Sequence, residues 1–101
     1  MEVNQNSTAK KVILSTNKKY NSEHEDLLAS LVERKIELFC AIGEDCENWE
    51  EALDSACFNE KGEEIGFIVT TSHPNETLEE VKEFAEQWNG TGNSEIQIIK
   101  I

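Results

Sequence analysis

The sequence predicts an α/β fold: a single small three-layer domain of order βαβαβαβ, with a mainly parallel four-stranded sheet. Three observations predict it. Short apolar runs alternate with amphipathic stretches of helical period along the chain, and that alternation implies parallel strands joined by helical crossovers. The 101 residues suffice for one core. The apolar runs also differ in kind. "VIL" and "FIV" are continuously apolar, as strands buried on both faces are, whereas "EIQIIKI" partly alternates, as an edge strand does. Placing the first and third strands in the centre gives the order 2-1-3-4, a truncated flavodoxin-like sheet with right-handed crossovers.

Each element has its own signal. "KKVILST" is the first strand. "NSEHEDLLASLVERK" is the first helix, with Leu27, Leu28, Leu31 and Val32 on one stripe and Ser22 and Glu25 in capping-box register. "IELFCAIG" is the second strand, ending in "GEDC". "NWEEALDSACF" places Trp49, Ala52, Leu53 and Ala56 on one helical face, with Asn48 and Glu51 spaced as a capping box. "NEKGEE" is a turn in which Gly62 can take positive φ. "IGFIVTTS" is the third strand. Thr77 and Glu80 cap a third helix with the stripe Leu78, Val81, Ala85 and Trp88, which "NGTGNS" terminates by glycine chemistry before the last strand. Residues 1–9, "MEVNQNSTA", read as a disordered N-terminus, and residues 10–101 as the domain.

No basic start with an apolar core marks a signal peptide, and no stretch is long enough to cross a bilayer, so the expected location is the cytoplasm. Cys40, Cys46 and Cys57 are odd in number and lack paired spacing, which fits free thiols in a reducing compartment. Neither a CxxC pair nor a Cys/His quartet appears, so no metal and no cofactor is implied. The net charge of −12 is unevenly placed: Glu44 to Glu86 holds fourteen acids against Lys61 and Lys82, the entire imbalance. Nucleic-acid binding depends on neutralising phosphates, so this surface repels DNA, RNA and anionic membrane. It favours a basic protein partner, although a solubilising surface explains the same charge. The last strand offers an edge through which a monomer could pair weakly as a homodimer.

In such sheets ligands bind beyond the carboxyl ends of the strands, where strand order reverses. The first loop there offers Ser15, Thr16 and Asn17; the second Glu44, Asp45 and Cys46; the third Thr70 through His73, then Asn75 and Glu76. His73 therefore lies where the fold concentrates function, and His24, in the first turn of a helix, reads as solvated. Cys46 near a helix start could be a nucleophile paired with His73. Half a positive charge from the helix end is set there against Glu44, Asp45, Glu47 and Glu50, which disfavours a thiolate. Asp45, Cys46, His73 and Glu76 as metal ligands would mix soft with hard donors. The first loop has lysines but no glycine-rich phosphate cradle. Structural roles cover the same residues: Asp45 at a helix start, Trp49 and Trp88 in the core, Cys40 and Cys57 as small apolar residues, and His73 as a loop organiser.

Two stretches, "GEDCENWEEALDSACF" and "FIVTTSHPNETLEEVKEFA", carry a Gly-x-Asp-Cys-x-x-Trp element and a Thr-Thr-x-His-x-Asn-Glu element. On these residues, from Ile36 to the end, the chain resembles an uncharacterised family of small bacterial proteins classed as a domain of unknown function. The resemblance brings no activity, cofactor or partner. It implies that Asp45, Cys46, Trp49, Thr71, His73, Asn75 and Glu76 act as a unit, either a binding site or a polar network fixing two loop-to-helix junctions. Two functions follow as expectations. One is a small acidic, non-catalytic binding or regulatory module for a basic protein partner. The alternative is a small-molecule or metal-dependent site at the carboxyl edge of the sheet, using Cys46 and His73.

Overall fold

Four parallel strands lie in the order 3-2-1-4, with two helices on one face and one on the other. The computed structural model describes residues 9–88 and 95–101. The strands are β1 (Lys11–Ser15), β2 (Leu38–Ile42), β3 (Val69–His73) and β4 (Ile96–Lys100); the helices are α1 (Glu25–Glu33), α2 (Cys46–Ala56) and α3 (Leu78–Gln87). The α/β class, the element order and the three layers are those the sequence predicts.

Period-2 alternation divides the core between the two faces. Val12 and Leu14 of β1, with Phe39 and Ala41 of β2, face α1 and α2, where they meet Leu28, Leu31, Trp49 and Leu53. Ile13, Leu38, Cys40 and Ile42 face the other way, toward Val81 and Ala85 of α3. The three predicted helical stripes point inward: Leu28, Leu31 and Val32; Trp49 and Leu53; Val81 and Ala85 are all buried.

The strand order corrects the expected 2-1-3-4. β2, not β3, sits beside β1 in the interior, and β3 forms an edge. The continuously apolar strand with both faces covered is "LFCAI", buried at all five positions. The apolar run "FIV" leads into β3 rather than filling it: Phe67 is 84% exposed, only Val69 belongs to the strand, and the strand itself reads "VTTSH". The order 3-2-1-4 opens the dinucleotide-binding type of doubly wound sheet, so strand order reverses between β1 and β4.

Helix ends differ from expectation in two of three cases. Thr77 and Glu80 form the predicted capping box on α3. Ahead of α1 a 3-10 turn, Ser22–His24, is boxed by Asn21 and His24 rather than by Ser22 and Glu25. α2 starts at Cys46, so Asn48 and Glu51 lie inside it, and Asn48 donates back to Asp45. Gly62 takes φ +79 in the predicted turn. The glycine stop "NGTGNS" spans 89–94, outside the described residues. Within them, the buried Lys11 ammonium serves the end of α3, donating to the carbonyls of Ala85 (2.7 Å) and Trp88 (3.0 Å). A cation there complements the negative end of the helix dipole. Of the N-terminus read as disordered, residues 1–8 lie outside the described residues. Ala9 is buried, and its carbonyl accepts from Arg34. Among the described residues no helix is long and apolar enough to cross a membrane.

Candidate functional site

With β2 between β1 and β3, the predicted site residues separate into two groups on opposite faces of the sheet. The first group fastens the loop after β1 to the start of α2. One Asp45 carboxylate oxygen accepts the backbone N–H of Tyr20 (2.8 Å) and the other accepts from Asn48 (2.7 Å). These bonds, the Tyr20 bond foremost, hold its carboxyl below the usual range. Trp49 is fully buried and donates its indole N–H to the Lys18 carbonyl at 3.0 Å. Its ring meets Tyr20 edge-on at 5.2 Å and His24 at 4.6 Å. His24, expected to be solvated, thus completes an aromatic stack, and its Nδ1 accepts the N–H of Asn21. Gly43 makes the approach possible. It has φ +122, and a Cβ there would sit 1.7 Å from the carbonyl oxygen of Thr16.

Cys46 belongs to this group. Its thiol lies in the α1/α2 core, where burial pushes its pKa up and the backbone N–H of His73 pulls against that. The imidazole of His73 lies on the other face, 5.3 Å from the ring of Phe84 on α3. Cys46 and His73 are thus linked through backbone and not side chain to side chain. A buried thiol held neutral is a poor nucleophile.

The second group is a line of polar atoms at the edge of the α3 face. His73 Nε2 is 2.8 Å from Thr71 Oγ1, and Nδ1 is 3.2 Å from a carboxylate oxygen of Glu76. The Phe39 carbonyl, 3.3 Å from Thr71 Oγ1, is an alternative acceptor for that hydroxyl's single proton, and Cys40 is the partner of Thr71 across the ladder. Burial pushes the Cys40 thiol up to about 11, with the Thr71 hydroxyl opposing and the Glu76 charge adding to the rise. A neutral ring is satisfied with Nδ1–H donating to Glu76 and Nε2 accepting from Thr71. A charged ring donates at both nitrogens, and Thr71 then donates to Phe39.

This hydroxyl–imidazole–carboxylate line has the spacing of a nucleophile, a base and its orienting acid. Its surroundings suit positioning better than catalysis. His73 is buried, and the Thr71 hydroxyl is engaged by Phe39 and Cys40 beneath α3. Asn75 is exposed in the turn after β3 and joins neither group. Among the described residues, no three His, Cys, Asp or Glu side chains converge as a metal ion's ligands would.

Where strand order reverses, between β1 and β4, the loop after β1 is tied to the end of the chain. Thr16 Oγ1 donates to the Ile101 carbonyl at 3.1 Å and accepts the N–H of Lys18. Two concavities among the described residues lie away from that point. A groove of about 600 Å³ runs between α1 and α2, floored by Leu28, Ala29 and Ala52 and rimmed by Tyr20, Phe58 and Glu60. A hollow of about 120 Å³ is lined by Asp54, Phe58, Glu64, Phe67 and Ile68. Two of its lining side chains, Phe58 (46%) and Phe67 (84%), are exposed apolar groups, and Ile65 in the same segment is 57% exposed. The sequence reading missed this surface because it assigned "IGFIV" to the third strand. The signal available was two phenylalanines and an isoleucine interleaved with Glu60, Glu63 and Glu64.

Neither the curated proteins nor the solved structures contain a match to the chain. The family described as "Domain of unknown function (DUF7684)" matches residues 2–99, extending through the N-terminal half that the motifs did not reach. That match spans nearly the whole sequence, and the chain belongs to DUF7684.

Proposed function

We propose that the protein is a small acidic binding module without catalysis of its own, and that it engages a basic protein partner. The observation that carries this reading is Phe67, 84% exposed and sharing a hollow with Phe58 in the segment that holds the whole net charge. A contiguous apolar patch on a surface is costly in water and marks an interaction site. Asp54 and Glu64 line the same hollow and Glu60 and Glu63 lie in the same segment of chain, so a basic surface is steered toward it and an acidic one repelled. The two polar groups on the sheet act as organisers: one anchors the first loop to α2, the other fixes the turn from β3 into α3. The protein works in the cytoplasm, as a monomer or as a weak homodimer through β4.

Affinity capture from cell lysate tests this with three baits: the native protein, a D54N/E60Q/E63Q/E64Q variant, and an F58S/F67S variant. Basic partners retained by the native protein and lost from both variants, with unfolding temperatures unchanged, are expected. An identical set of partners on all three baits would remove the reading.

A further inference from the structure

We propose that the open edge of β3 receives an extended segment of that partner, alternating basic with apolar residues, as a fifth strand of the sheet. The inference rests on the binding-module reading and adds the mode of docking.

β3 pairs with β2 on one side only, and Val69 donates its N–H to Glu37 on that side. Backbone direction alternates along a strand, so the N–H and C=O groups of Thr70 and Ser72 face the open side. Natural edges are usually blunted by charge, proline or a bulge. "VTTSH" has none of these within the strand, and its ladder with β2 runs without interruption over all five residues. The opposite edge, β4, carries the exposed Lys100.

The two sides of the β3 edge differ in chemistry. α3 packs on β1, β2 and β4, and reaches β3 where Phe84 meets His73. That leaves Val69 (39%) and Phe84 (38%) part-exposed on the α3 side. On the α2 side, Thr70 donates to Glu50 at 3.4 Å, and Asp54 lines the hollow beside Phe67 and Ile68. Side chains of an added strand alternate between these sides and lie about 5 Å from their cross-strand neighbours. Apolar residues would cover Val69 and Phe84, while basic ones would meet Glu50 and Asp54. A second copy of this chain is a poor occupant, because two bodies of charge −12 would meet through their acidic segments.

The test uses a blocked seven-residue peptide of alternating Lys and Val. Its controls are the same peptide N-methylated at every second amide and a block-sequence isomer of equal charge. Binding to the full chain is followed by NMR at graded salt. The expected result is protection of the Thr70 and Ser72 amides from exchange, with affinity at least tenfold weaker for the N-methylated peptide. Ser72→Pro, which removes one outward N–H, and Glu50→Gln/Asp54→Asn should each weaken binding severalfold while the fold, checked by circular dichroism, persists. If the N-methylated and block peptides bind equally well and perturb Phe58 and Phe67, strand addition is overturned and the binding-module reading stands. If no cationic peptide binds at all, both fall. If Thr70 and Ser72 become protected in the free protein as its concentration rises, with dimers in sedimentation, the occupant is a second copy and the proposal is wrong.

Discussion

Replacing Trp49 with phenylalanine isolates what the loop anchor contributes to the fold. The substitution keeps an aromatic ring in the α1/α2 core but deletes the N–H that reaches the Lys18 carbonyl at 3.0 Å. Losing that hydrogen bond costs about 1 kcal/mol, since the freed carbonyl belongs to an exposed loop residue and can turn to water. Trp49 is fully buried, so the lost half of the indole leaves roughly 40 Å³ unfilled, which at about 24 cal/mol per Å³ adds about 1 kcal/mol. The expected loss is about 2 kcal/mol, against about 3–5 kcal/mol for Trp49→Ala. For a domain of this size it lowers the unfolding temperature by roughly 8–16 °C. Urea unfolding followed by circular dichroism measures it without relying on the deleted fluorophore. Hydrogen exchange at Tyr20, whose N–H is held by Asp45 in the same loop, should accelerate in parallel. A loss below about 0.5 kcal/mol with Tyr20 exchange unchanged would refute the claim that the indole anchors the loop.

Two further outcomes test groups that the sequence reading left in the background. Lys11→Met strips two carbonyls at the end of α3 of their donor, which costs about 1–3 kcal/mol apiece, but it also relieves the burial of an ammonium. A net destabilisation of about 1–2 kcal/mol is expected, with faster exchange at the Trp88 amide, and an unchanged α3 C-terminus would contradict the capping role. Cys40 predicts an alkaline effect. Its folded pKa of about 11 lies above the ordinary thiol value of 9.0, so the stability it contributes is complete below pH about 9. As pH rises, only the unfolded chain ionises, and about 2–3 kcal/mol is lost progressively until the folded pKa is reached. Cys40→Ala should decline less between pH 8 and 10.5 than the native protein in urea melts. Parallel declines would show that the thiol is not held neutral.

What could be read from the sequence follows from where the information is local. Helical stripes, the Thr77–Glu80 box and the Gly62 turn depend on residues a few positions apart, and those expectations match the structure. The pairing of Asp45 with Tyr20 and of Trp49 with Lys18 spans 25 and 31 residues, and nothing in either stretch announces the other. Cys46 and His73 looked like partners because both follow strands at the same sheet edge. Which face each occupies depends on register, and a single step along a strand reverses the face.

The misplacement of β3 has a different origin, and it bears on function. The rule applied was sound: a continuously apolar strand belongs in the interior, and β2 obeys it at all five positions. "FIV" breaks the rule, since Phe67 and Val69 stand exposed at the margin of the sheet with acidic residues near them. Apolar residues that the fold does not bury add little to its stability, so their presence there needs another cause. Local pattern and global fold agree along most of this chain, and a conflict between them is expected where residues serve something other than folding. The conflict here falls on an edge that itself lacks charge and proline, within the segment that holds all the net charge. That coincidence supports seeking the partner at β3 before the carboxyl ends of the strands, where Thr16 is hydrogen-bonded to Ile101.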